Sequence, residues 1–204
     1  ETLVFSKRSN LYGLNLVKKT RDLPYLVVVE GYMDVIGLNA QGITGVVASL
    51  GTALTKEQAR KLKRYAQTVY ISYDGDTAGQ MATVRGMEML RAQGIEVRVV
   101  SLPEGCDPDE IVRDGGSAAF AKLLSEAHPL PAYKMHLAAK RYDLSTPEGR
   151  TKYAMEAADA LADVESRIER ESYLTRLAAE TGFSIGALEG QAKAAEVREA
   201  QKMY

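Results

Sequence analysis

The sequence predicts an α/β protein: a mainly parallel sheet flanked by helices, followed by an all-α segment. Three observations carry this. In the first half, short β-branched runs alternate with helical stretches of about 10–15 residues, the pattern of βαβ units with right-handed crossovers. Helix-start and helix-stop signals stand at the joins between them. Beyond His128-Pro129-Leu130-Pro131 the strand pattern ends and only helical periodicity remains.

Leu26-Val27-Val28-Val29 is an unbroken apolar run, as expected of a strand buried on both faces. A helix over about 32–40 follows and is closed by Gly42, and Val46-Val47-Ala48 reads as a second strand. Thr55-Lys56-Glu57-Gln58 is a capping box, opening a helix whose apolar face is Ala59, Leu62 and Ala66. Val69 to Tyr73 is a third strand. The helix over 77–93 places Ala78, Ala82 and Gly86 four apart, so its backbone can approach the sheet closely. Ile95 to Leu102 is a fourth strand, and the alternation of Glu96 and Arg98 with Val97 and Val99 predicts a sheet edge. Helices are then expected over 131–142, 147–161, 164–181 and 184–202, with Pro147 at a first helical position and Gly182 ending a helix. The expected organisation is a basic lead-in over 1–23, an α/β domain over 24–127 and a helical subdomain over 128–204.

The 204 residues are 46% hydrophobic and 26% charged, enough to bury a sizeable core without staples. The one cysteine, Cys106, excludes an internal disulfide framework and a Cys-cluster zinc site. No apolar run reaches the roughly 18 residues of a membrane span, so no membrane partner and a reducing, cytoplasm-like compartment are expected. The chain opens on Glu1 and reads as a piece of a longer protein. A net charge of −1 does not mark a bulk nucleic-acid binder, but charge is local. Lys7, Arg8, Lys18, Lys19 and Arg21 oppose only Glu1 and Asp22 at the start, while Glu104, Asp107, Asp109, Glu110 and Asp114 oppose only Arg113 further on.

Open α/β sheets bind ligands at the carboxyl ends of their strands. There the first strand ends in Glu30-Gly31 and the third in Asp74-Gly75-Asp76; Asp34 falls one helical turn beyond Glu30, and the Asp107-Pro108-Asp109-Glu110 loop follows the fourth strand. Carboxylates forced together raise one another's pKa unless a cation compensates. Such hard oxygen ligands suit Mg²⁺ or Mn²⁺ and phosphoryl chemistry. A blander reading stands beside this one. Asp-Gly is a common turn, and Asp107 with Asp109 is a plausible helix start facing free N–H groups. The order of all these acids at successive strand ends favours the chemical reading.

Glu30-Gly31-Tyr32-Met33-Asp34, Val47-Ala48-Ser49-Leu50-Gly51-Thr52, Tyr73-Asp74-Gly75-Asp76 and Asp107-Pro108-Asp109 resemble the Toprim domain of bacterial replicative DNA primases. The likeness runs back through Leu11-Tyr12-Gly13-Leu14 and covers about residues 1–130; the helical tail is similar to the segment that completes the primase polymerase core. The resemblance implies a Toprim-type sheet and metal-dependent joining of ribonucleoside triphosphates into RNA primers on a single-stranded DNA template. By matching, Asp74 and Asp76 are metal ligands and Glu30 is a ligand or a general base. Asp34, Asp107 and Asp109 match further acids that help hold metals. Lys7, with Arg8 beside it, matches a basic residue near the active site, and Ser49, Gly51 and Thr52 form a small-residue loop offering N–H groups to phosphate. The resemblance also places zinc in an amino-terminal domain absent here, the lead-in 1–23 at the end of an absent basic subdomain, and the replicative helicase on an absent carboxy-terminal domain.

Rival readings are a haloacid-dehalogenase-like phosphatase with Asp74 as nucleophile, a Toprim nuclease or topoisomerase, and a non-catalytic DNA-binding module. The phosphatase motif belongs on a first strand, and here two strand units precede it. The module would rest on the helix, glycine, helix outline of residues 179–188, which carries few basic residues and reads better as a packed hairpin. His128 and His136 lie eight apart across a Pro-rich break and make no helical metal pair, and Cys106 beside Asp107 is a poor nucleophile.

Overall fold

The computed structural model describes residues 6–49, 54–73, 77–103 and 105–202. It divides into two compact units, Glu1–Leu130 and Pro131–Tyr204. The first contains α1 (Leu14–Val17), β1 (Leu26–Val29), α2 (Tyr32–Ala40), β2 (Val46–Ala48), α3 (Lys56–Leu62), β3 (Thr68–Ser72), α4 (Thr77–Arg91), β4 (Glu96–Val99), α5 (Pro108–Ser125) and β5 (His128–Pro129). The sheet order is β2-β1-β3-β4-β5, with every pair parallel except β4 with β5. The expected α/β class with a mainly parallel sheet therefore holds.

β1 lies inside the sheet and all four of its side chains are buried, which is why its sequence does not alternate. Val27 and Val29 face one way, into a core with Val35 and Leu38 of α2 and Val112, Phe120 and Leu124 of α5. On the other face α4 comes close: a Cβ on Gly86 would lie 3.3 Å from Ile71 Cδ1, so glycine sets the approach of helix to sheet. α3 packs beside α4.

Two expectations change. β4 is not the edge: its outer side pairs antiparallel with β5, through Arg98 with Pro129 and Val99 with His128. Proline lacks the N–H of an inner strand but is tolerated in this outermost position. The expected loop at 107–110 is the start of α5, where Asp107 accepts a bond from Glu110 N–H at 2.7 Å and Pro108 takes the first helical position. The lead-in also docks on the sheet. Tyr12 and Ala48 exchange backbone bonds at 3.0 Å in both directions, covering the outer edge of β2.

The second unit holds α6 (Leu130–Arg141), α7 (Pro147–Asp159), α8 (Arg167–Thr181) and α9 (Ile185–Lys202). Met135, Tyr153, Ala157, Leu161, Leu177 and Leu188 form its core. Gly182, left-handed at φ 80°, closes α8, and α9 packs back on α7 and α8. The helix, glycine, helix outline is thus a packed hairpin.

Gly13 joins lead-in to sheet at φ 80°, and a Cβ there would meet Val46 O at 2.7 Å and Val35 Cγ1 at 2.9 Å. Gly42 has a similar φ, 82°, with open space around it. Urea unfolding is expected to show Gly13→Ala costing about 2–4 kcal/mol, from backbone strain plus overpacking, against about 1–2 kcal/mol for Gly42→Ala, from strain alone.

Candidate active site

The register of the sheet decides which residues share a rim. Val29 lies opposite Ala48 on one side and Ser72 on the other. The next residue of each strand is therefore level with the others: Glu30, Ser49 and Tyr73. Ser49 N–H donates to Val29 O at 3.3 Å, tying the turn after β2 to β1. Glu30 is half-buried and Ser49 is buried. Asp74 and Asp76, which follow Tyr73 in sequence, lie outside the described residues, as do Gly51 and Thr52.

Tyr73 is only 6% exposed. Burial pushes its phenol up to about 12; the Ser49 hydroxyl draws it down a little, and the Glu30 carboxylate adds to the rise. Oη has no well-formed hydrogen bond, so the influence of Ser49 is one of proximity. The Ser72 and Ser101 hydroxyls, also buried at the carboxyl ends of β3 and β4, have no hydrogen-bond partner among the described residues. Among the described residues this rim is thus polar, with three buried hydroxyls left unpaired, and Tyr73 is held neutral beside the acid of β1.

The remaining acids are placed by helix starts. Asp34, 7% exposed, accepts from Gly31 N–H at 3.0 Å and so fixes the turn that carries Glu30 into α2. Asp107 caps α5 as described. Asp109 packs against α2: a Cβ on Gly37 would lie 1.7 Å from its Oδ1, so the residue's place depends on that glycine. Its Oδ2 lies 3.6 Å from Arg113 Nη1. Asp34 and Asp107 thus each commit one carboxylate oxygen to a backbone N–H. Among the described residues no three His, Cys, Asp or Glu side chains gather closely enough to hold a metal ion. The donor chemistry suits a hard divalent cation nonetheless, because the carboxylate of Glu30 on this rim is a hard oxygen donor, and two further acids, Asp74 and Asp76, follow Tyr73 in sequence.

Lys7 and Arg8 are exposed, and α3 holds the turn that carries them. Thr55 Oγ1 donates to Arg8 O at 2.6 Å, and Gln58 Nε2 donates to Lys7 O at 2.9 Å and Asn10 O at 2.8 Å. Lys61 Nζ donates to Ser9 O. The sequence marks Thr55 and Gln58 as a capping box, which they form, but not as the anchor of a segment some fifty residues earlier. Tyr73 was likewise visible only as an aromatic residue inside a motif.

Because the folded-state value of Tyr73 lies above its ordinary 10.0, its contribution to stability is present below pH 10 and is lost as pH climbs through 12. The parent is expected to lose up to about 3 kcal/mol over that window that Tyr73→Phe does not lose. Chemical unfolding of both proteins at stepped pH checks this; Tyr153, raised by burial in the second unit, is common to both.

Known proteins resemble this chain over most of its length. A family model described as Toprim-like covers residues 27–112, and one described as the DnaB-helicase binding domain of primase covers 131–186. The DNA primase of Clostridium acetobutylicum is 43% identical over 183 residues, 90% of this chain and 30% of that protein. A DNA primase domain from Pseudomonas aeruginosa aligns with a TM-score of 0.70 at 39% identity, over 95% of this chain and 62% of that one. The DnaG primase catalytic domain bound to ssDNA gives 0.69 at 36% identity, over 88% and 59%. This chain therefore spans about 30% of the length of its curated relative. The phosphatase reading gains no support. The second family match corrects the view that helicase-binding sequence is wholly absent, although the catalytic-domain alignment, at 88% of the chain, must extend into the same helices. With a Toprim-like match over residues 27–112 and such relatives across nearly its whole length, the chain is similar to the catalytic segment of bacterial DNA primases.

Proposed function

We propose that this chain carries the metal centre of a primase polymerase core, joining ribonucleotides on a single-stranded DNA template with release of pyrophosphate. One observation supports the reading: the parallel register that sets Glu30 level with Ser49 and with Tyr73, the residue that precedes Asp74 and Asp76 in sequence. Glu30, Asp74 and Asp76 would hold the cation, Mg²⁺ or Mn²⁺, with Asp34, Asp107 and Asp109 as supporting acids. A bound divalent cation supplies positive charge to the phosphates and lowers the pKa of an attacking hydroxyl.

The chain's own groups do the rest. Glu30, as base, takes the proton of the primer 3′-hydroxyl on a carboxylate oxygen; as ligand, it holds the cation that acidifies that hydroxyl. Tyr73, neutral and buried, adds no negative charge where phosphates gather. Lys7 and Arg8 meet phosphate from the lead-in, and the N–H groups of the Ser49, Gly51 and Thr52 loop do so from the turn after β2. The family likeness of residues 131–186 supports the replicative helicase as a partner of this helical unit. Among the described residues no helix is long and apolar enough to cross a membrane.

Calorimetric titration with Mn²⁺ tests the centre. Binding is expected in the parent and is expected to vanish in Asp74→Asn/Asp76→Asn with circular dichroism unchanged; equal binding in both would remove the reading. In a primase containing this chain, Glu30→Gln is expected to lower primer synthesis by about 10²-fold or more. Unchanged Mn²⁺ affinity in that variant assigns Glu30 as base, and weakened affinity assigns it as ligand.

A further inference from the structure

Gln58 is a polar side chain with no exposed surface. Burying an amide is costly unless its donors and acceptor are matched. Here they are. Oε1 accepts from Thr55 N–H at 2.9 Å, closing the capping box, and the two Nε2 hydrogens go to Lys7 O at 2.9 Å and Asn10 O at 2.8 Å. A capping box needs only the Oε1 bond, and a glutamate would serve it equally. The two donated bonds are what an amide adds, and both end on the turn carrying Lys7 and Arg8. With Thr55 on Arg8 O and Lys61 on Ser9 O, the four consecutive carbonyls from Lys7 to Asn10 are all bound by α3.

The position of α3 gives this anchoring a use. Its first residue lies a short connection after β2, whose carboxyl end belongs to the rim with Glu30 and Tyr73. Tyr12 also pairs antiparallel with Ala48, the last residue of β2, which brings the turn just before it toward that end of the strand, with its carbonyls bound by protein and its two cationic side chains exposed. A loose lead-in would have to order this backbone on each encounter with a polyanion, which an anchored turn does not.

We propose that Gln58 is a positioning residue for nucleic acid: its amide presets the Lys7–Asn10 turn so that Lys7 and Arg8 contact consecutive phosphates of a single strand. The claim rests on the proposed function and adds a residue that touches neither metal nor substrate. It is tested by fluorescence anisotropy of this chain with a labelled single-stranded oligonucleotide across a salt series, using Gln58→Glu, Lys7→Gln/Arg8→Gln and the triple variant.

Loss of two phosphate contacts lowers the slope of log affinity against log salt by about 1.4, at about 0.7 per contact for a single strand. Gln58→Glu is expected to show most of that loss, and adding it to Lys7→Gln/Arg8→Gln is expected to change nothing further. Thr55→Val, which removes the Arg8 carbonyl's partner, reports the same coupling if Gln58→Glu does not fold. Independent, additive losses would overturn the proposal, as would a Gln58→Glu protein that binds like the parent. No effect from Lys7→Gln/Arg8→Gln would overturn it as well, by removing the contact it depends on. Mn²⁺ binding at Asp74 and Asp76 is measured separately, so failure here is distinguishable from failure of the metal centre.

Discussion

The parallel pairing of β1 with β2 and β3 is the constraint on which the rest depends. β1 contributes only four residues, all apolar and buried on both faces. A slip of one residue would exchange its two faces and set Glu30 out of level with Ser49 and Tyr73. The apolar run therefore does two things at once. It holds the middle of the sheet, and it delivers a carboxylate to the one place where the neighbouring strands also end. The caps then refine the position. Asp34 fixes the turn after Glu30, and Asp107 sets the start of the helix that carries Asp109 to α2.

The helical unit is held differently. Its centre is alanine, leucine and one buried tyrosine, Tyr153, whose hydroxyl donates to Glu180 at 2.6 Å. Small side chains let the helices approach, while Arg170 closes the chain after α7 by donating to Ala162 O and Val164 O. Exposed pairs such as Lys152 with Glu148 and Lys193 with Glu189 decorate this unit. Solvent screens such exposed pairs, so the core and the caps outweigh them.

Local signals made much of this legible. The β1 run, the Thr55 box and the Gly182 stop each depend on residues within four positions of one another, and each is found where the sequence puts it. The short α1 and β5 lack such signals: four residues and two residues carry no period, and Pro129 argues against a strand. The double role of Asp107 shows a different limit, since the same carboxylate pattern suits a metal ligand and a helix cap, and the cap is formed. The grip of α3 on the lead-in was illegible for a third reason. Its bonds join residues 47 to 52 apart, and a backbone carbonyl carries no mark in a sequence.

The two margins of the sheet are closed by unlike means. Tyr12 takes up backbone groups of β2 on one side, and on the other the last strand is two residues long and ends in Pro129. Among the described residues neither margin offers the long, flat row of unpaired N–H and C=O groups on which a further strand could nucleate. The α/β unit is thus guarded against growing by strand addition into aggregates. Tyr12, which docks the lead-in, and Pro129, which ends the sheet, thereby also serve colloidal stability, at concentrations where an open edge would find a partner.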